Sequence, residues 1–277
     1  MASARTTGTT VRPTGARPHV PHDPPRAIAW PARARDWAEI QERMLVPLYE
    51  AVYSRLEVGP ATSVLGLGCR SGLALLLAAG RGAQVSGLEP QDELRELARG
   101  RRLRVGAGAR PTTALPHSAY SLVTVFEQLP GSADPARVVA EAARLTLPGG
   151  HVVLAAWGPP ERCESASVLD VARRMAGRTT ARDPFELSPP GALEDLLAGA
   201  GLHPAGSGRV SCPFAYPDLD SAVRGLLSTG LYEAAAEFSG LPLVAKELEE
   251  ALAPYLRPDG SVRMENLFRY LVAEQPR

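Results

Sequence analysis

The sequence has few of several things. Lys246 is the single lysine among thirty basic residues. That scarcity, beside an excess of Ala, Gly and Pro, is the bias of a GC-rich genome rather than a sign of function. Three cysteines (Cys69, Cys163 and Cys212) lie far apart with no C-x-x-C pair, which excludes a disulfide scaffold or a zinc ribbon; no metal is expected. Thirty acids balance thirty bases. A surface wholly tuned to nucleic acid or anionic membrane is thereby excluded. No apolar run approaches the ~20 residues of a spanning helix, and the N-terminus has no apolar signal region. G-x-S-x-G, H-E-x-x-H and Walker patterns are missing too. The expectation is a cytoplasmic globular protein. Its 277 residues, 45% hydrophobic and 22% charged, allow a sizeable core in one large domain or two small ones.

Residues 1–30 hold five prolines and one acid, Asp23, and read as a disordered leader. From Asp36 to Leu56 apolar residues recur every three or four positions. This predicts a helical lid over 31–60, kinked at Pro47. After Pro60 the period changes. Short apolar runs at 63–67, 84–88, 103–105, 121–126 and 151–157 predict strands; polar or apolar helices fall between them. Asp134-Pro135 is a helix start, and Pro148-Gly149-Gly150 a stop. Two further strands are predicted at 210–214 and 267–272. The pattern predicts an α/β, doubly wound, Rossmann-like sheet of seven mostly parallel strands with helices on both faces. The core would occupy 61–160, and 161–277 would complete it, with a helical substrate cap at about 215–257.

The sharpest feature lies between the first strand and its helix, in Val64-Leu65-Gly66-Leu67-Gly68-Cys69-Arg70-Ser71-Gly72. Glycines let a backbone approach a ligand, and a helix N-terminus offers free N–H groups. Glu89, at the end of the second strand, is placed to accept the hydroxyls of a ribose. Together they read as a nucleoside-cofactor site; the plainer reading is a tight turn beside a solvated glutamate. The glycine spacing does not match G-x-G-x-x-G.

On these residues the chain resembles the class I S-adenosylmethionine (SAM)-dependent methyltransferases of small-molecule type. Val64–Gly72 corresponds to the family's V-L-D-x-G-C-G-x-G, and Gly87-Leu88-Glu89-Pro90 to the ribose-binding stretch. Ala114-Leu115-Pro116 corresponds to the segment before strand four, and Arg144-Leu145-Thr146-Leu147-Pro148-Gly149-Gly150 to the R-x-L-x-P-G-G turn into strand five. The resemblance covers about residues 30–274. It implies SAM as cofactor, contacted by Gly66, Gly68, Cys69, Arg70, Gly72, Glu89, Pro90, Leu115, Phe126 and Trp37. It also implies a small-molecule acceptor. Partners would be a second copy or a paralogous methyltransferase, rather than a membrane or nucleic acid.

Three departures stand out. Gly66 replaces the family's acid. Arg70 replaces its middle glycine, so a side chain either pairs with the SAM carboxylate or fills the pocket. No Asp or Glu occurs from 97 to 126, where the family places an acid for the adenine amino group. Each lost bond to a charged acceptor costs about 1.5–3 kcal/mol. The alternatives are therefore a methyltransferase-like pseudoenzyme beside an active paralogue, or a fold repurposed for a reaction such as cyclisation. Candidate proton acceptors are His117 and Glu127. The apolar cap predicts a mostly apolar acceptor. The arginines at 95, 99, 101, 102, 104 and 110 read as a solvated helix face and sheet edge, where charge also blocks edge pairing.

Overall fold

The structure is a computed structural model that describes residues 30–108, 119–129, 132–177 and 183–277. Helix α1 (Trp30–Asp36) leads through a π-helical turn, Trp37–Gln41, and a 3-10 turn, Glu42–Leu45, into α2 (Val46–Arg55). The expected kinked helix is thus a broken one. Pro47 sits in the first turn of α2, where its missing N–H costs nothing, so it starts a helix instead of bending one.

The core then follows as β1 (Ser63–Leu67), α3 (Leu73–Gly80), β2 (Gln84–Leu88), α4 (Asp92–Gly100), β3 (Val105–Gly106), β4 (Tyr120–Val125), α5 (Pro135–Leu145) and β5 (Thr146–Trp157). Next come α6 (Ser165–Met175), α7 (Ala192–Gly199), β6 (His203–Ser211), β7 (Phe214–Tyr216), α8 (Leu219–Ser228), α9 (Glu233–Ser239), α10 (Leu241–Leu252), β8 (Val262–Met264) and β9 (Leu267–Glu274). Seven strands form one sheet in the order β3-β2-β1-β4-β5-β9-β6. The first five are parallel, and β9 runs antiparallel to β5 and β6. This is the doubly wound sheet that the sequence predicts.

Alternation along the central strands sends side chains into two cores. Val64, Leu122 and Val153 face the N-terminal helices and the cap. Leu65, Val123, Val152 and Leu154 face α5 and α7. The Asp134 side chain accepts from the Arg137 N–H at 3.0 Å, which caps α5 as its sequence predicts. Helices α8, α9 and α10 fill most of the segment expected as a cap and pack against α1, α6 and the π-helical turn, beside a separate two-stranded ribbon of β7 and β8.

The strand expected at 210–214 is corrected. The sheet strand β6 starts at His203, whereas Phe214 belongs to the ribbon. Strand β6 is an edge with no apolar alternation, because its glycines take side chains from neighbours. A Cβ on Gly208 would meet the Tyr270 ring at 2.4 Å, and one on Gly206 the Arg55 guanidinium at 2.3 Å. The third strand also lies slightly later than expected, at Val105–Gly106.

Gly158 closes β5 against β9. A Cβ there would stand 2.7 Å from the Leu267 carbonyl oxygen, which cannot swing aside as a side chain can. Gly158→Ala is expected to destabilise the protein by about 1–3 kcal/mol, read as a lower urea midpoint with an unchanged slope.

Candidate functional site

The loop from Gly68 to Gly72 leaves the carboxyl end of β1, at the point where the strand order reverses between β1 and β4. Open parallel sheets form their binding crevice there. Gly68 and Gly72 have φ of +61° and +87°. Arg70, between them, has φ +51°, a left-handed conformation that glycine adopts without strain and arginine does not.

Two buried carboxylates hold this loop. Glu89, 2% exposed, accepts from the Arg70 backbone N–H at 2.8 Å and from the Gln91 N–H at 3.0 Å. Glu42, from the turn before α2, accepts from the Ser71 hydroxyl. Arg101 completes the arrangement. It donates to both Glu42 oxygens, at 2.9 and 2.6 Å, and to the Ser71 carbonyl at 3.0 Å. Glu42 is a residue that sequence reasoning missed. It belongs to a different element, and its pattern there is that of an ordinary polar helix position.

Position 66 is tightly packed, so that an acid there would require its neighbours to shift by a few tenths of an ångström. A Cβ there would meet Cys69 at 3.1 Å and Leu75 at 3.3 Å. The run of arginines is a solvated face only in part, with Arg99, Arg102 and Arg104 exposed. Arg95 donates to the Glu89 carbonyl at 2.9 Å, Arg99 to the Val105 carbonyl at 3.0 Å, and Arg101 joins Glu42. Half of the run fastens β2, β3 and the loop together.

Beyond the loop lies a cavity of about 70 Å³ between sheet and cap. Trp37, Phe126, Trp157, Phe214 and Phe268 line it with apolar surface; its polar lining includes Gln41, Arg70 and Glu127. Trp157 packs on Phe268 with ring centres 4.4 Å apart, and on Phe185 and Phe214 at 5.5 Å. The Arg70 guanidinium lies over the Trp37 ring, 4.9 Å from its centre. Its Nε is 3.9 Å from Glu127 Oε2. The other Glu127 oxygen accepts from the Tyr49 hydroxyl. Oε2 is buried and has no hydrogen-bond partner, as is true of Trp37 Nε1.

The candidate residues divide as follows. Gly66, Gly68, Cys69, Arg70, Gly72 and Glu89 come together at the loop, and Trp37, Phe126 and Glu127 meet at the adjoining cavity. Pro90 is exposed and offers its carbonyl to Arg95 at 3.3 Å. His117 and Leu115 lie outside the described residues. Gln128 crosses Gly68, 2.7 Å from where a Cβ would stand. A larger groove of about 450 Å³ opens on that side, floored by Leu67, Leu88 and Gly108.

Burial pushes the Glu127 carboxyl up to about 7, although Arg70 and the Tyr49 bond pull the other way. The charges of Glu42 and Glu89 add to the rise. The Tyr49 hydroxyl is held well above its usual range by burial and by Glu127. Burial, then Glu89 and Glu127, raise the Cys69 thiol as well, so Cys69 is no thiolate nucleophile.

A carboxyl raised on folding binds its proton more tightly in the folded chain. Its contribution to stability is therefore full below pH 4.5 and declines as pH rises towards about 7. Glu127→Gln keeps an acceptor for Tyr49 and removes this titration. Urea unfolding at pH 5 and pH 8 is expected to show the variant gaining stability relative to the parent at the higher pH.

Residues 65–154 match the family model described as a methyltransferase domain. The ubiquinone biosynthesis O-methyltransferase of Vibrio cholerae is 37% identical over 97 residues, covering 32% of this chain. The match spans 39% of that relative's length. Among solved structures, a methyltransferase from Bacillus halodurans superposes with a TM-score of 0.56 at 13% identity, covering 83% of this chain and 99% of its own. A geranyl diphosphate methyltransferase in complex with SAM gives 0.51 at 19% identity, over 88% and 90% of the two chains. These identities speak for the fold, and the family match for the strands and loop at its centre. Residues 65–154 are thus similar to a methyltransferase domain, and the chain has the fold of the class I SAM-dependent methyltransferases.

Proposed function

We propose that the protein transfers a methyl group from SAM to an oxygen or nitrogen of a small, mostly apolar acceptor. The observation that carries this reading is the buried Glu127 Oε2, which accepts no hydrogen bond and shares its cavity with the Trp37 ring, next to the glycine loop. A carboxylate and an indole face together suit a cation in an apolar setting. The relative from Vibrio cholerae is named for O-methylation, which accords with an oxygen acceptor.

The residues present fit the cofactor. The glycine loop would approach its methionine part. Each Glu89 oxygen accepts one backbone N–H, which leaves acceptor capacity for ribose hydroxyls. When bound, the cofactor supplies an electrophilic methyl group on a positively charged sulfur. The chain's own task is to align the acceptor, exclude water and take its proton. Trp157, Phe214 and Phe268 would wall the acceptor in. Glu127 is the proton acceptor we favour, since a carboxyl near pH 7 is half ionised under working conditions. His117 remains a second candidate. We place the protein in the cytoplasm, with a second copy or a paralogous methyltransferase as candidate partner.

Calorimetric titration of the full chain with SAM and with S-adenosylhomocysteine tests this reading. Micromolar binding, abolished in Glu89→Ala, is the expected result. No binding up to millimolar overturns it, in favour of a pseudoenzyme or a repurposed pocket. Once an acceptor is known, Glu127→Gln is expected to lower kcat by about 100-fold or more with little change in KM. It should also remove the fall in rate below about pH 7.

A further inference from the structure

We propose that Arg70 is a displaceable internal cation seated in the cradle of the Trp37 ring and the Glu127 carboxylate, and that it sets the site's choice between a cationic and a neutral sulfur ligand. This rests on the cofactor reading above and deepens it.

Arg70 is in the right place but poorly held. Its Nε is 3.9 Å from Glu127 Oε2, too far for a hydrogen bond, and that oxygen has no other partner. A guanidinium carries five N–H donors, yet among the described residues this one makes no side-chain hydrogen bond. The contrast with Arg101 is direct, because Arg101 grips Glu42 through two nitrogens at 2.9 and 2.6 Å. The Arg70 backbone, with φ +51°, is held by its N–H bond to Glu89 at 2.8 Å, whereas the side chain has no bond of that kind. Its side chain is 20% exposed and has a way out to solvent.

The cavity is also too small as it stands. Ligand pockets usually measure about 300–1,000 Å³, whereas this one has about 70 Å³ with Arg70 in its lining. Removal of the guanidinium both enlarges it and takes away the cation that favours the ionised form of Glu127, so that the carboxyl ionises again only when another cation takes that place. Glu42 and Glu89 do not replace that function, since Arg101 neutralises the first and two backbone N–H groups satisfy the second. With Arg70 seated, a sulfonium would be a second cation on one carboxylate. Like charges a few ångströms apart repel strongly in a buried site. A neutral thioether avoids that repulsion. The parent protein should therefore favour S-adenosylhomocysteine over SAM.

The test is calorimetry on the full chain, using SAM, S-adenosylhomocysteine, S-methylmethionine and methionine as probes. Arg70→Met keeps bulk and removes charge, while Arg70→Gly also relieves the backbone. Both are expected to tighten SAM by about tenfold or more and to change S-adenosylhomocysteine by less than about threefold. Adding Glu127→Gln to Arg70→Met should abolish the gain. If either Arg70 variant instead weakens SAM and S-adenosylhomocysteine alike, Arg70 is an anchor for their carboxylate and the proposal falls. It also falls if the parent binds SAM as tightly as the variants, although the cofactor reading then stands. If no variant binds SAM or S-adenosylhomocysteine but Arg70→Met takes S-methylmethionine over methionine, the cradle stands and the cofactor reading fails. No response to either sulfonium in any variant overturns both.

Discussion

Two buried carboxylates on one short loop are the constraint on which the rest of the site depends. Glu89 reaches the loop from the end of β2, and Glu42 reaches it from the segment before α2. Without them, the turn between β1 and α3 would leave the N–H of a strained arginine and the Ser71 hydroxyl without their acceptors. At Gly66 the strand itself brings no charge to the loop. Here Cys69 and Leu75 occupy the space, and the charge arrives from another element. The loop and the N-terminal helices are consequently one mechanical unit, joined through Arg101.

This arrangement has a consequence for the cavity. The same turns that bring Glu42 to Ser71 carry Trp37 and Gln41 into the cavity lining, and α2 brings Tyr49 to Glu127. A π-helical turn at Trp37–Gln41 alters which side chains share a face, and such turns favour functional sites. Loop geometry and one side of the cavity are thus set by a segment of about twenty-five residues preceding the sheet. The charges are balanced with little to spare. Glu42 is matched by Arg101, Glu89 by backbone donors, and Glu127 only loosely by Arg70.

Much of the fold was legible in the sequence, for local reasons. Apolar runs at β1, β2, β4 and β5 alternate with helical periods, and Asp134-Pro135 announces its helix. Glycine at 68 and 72 marks positive φ where the chain turns onto α3. The edge strand β6 was harder, because its glycines are filled by Tyr270 and Arg55, which belong to distant elements. The site was legible as a loop plus an acid. Glu42, Arg101 and Tyr49 carried no signal, since each acts on a partner 29 to 78 residues away. Arg70 was visible as a departure, but not its seat on Trp37, which depends on the broken helix before α2.

The most direct measurement of the clamp is amide hydrogen exchange on Glu42→Ala against the parent chain. If Glu42 holds the loop, the amides of residues 68–72 and those of 37–45 will exchange faster together. Protection in β1 and β4 will stay unchanged, because the sheet does not depend on the clamp. Faster exchange confined to residues 37–45, with the loop as protected as before, would contradict the account. The loop would then be held by Glu89 and its own turn, and the N-terminal helices would be a separate lid.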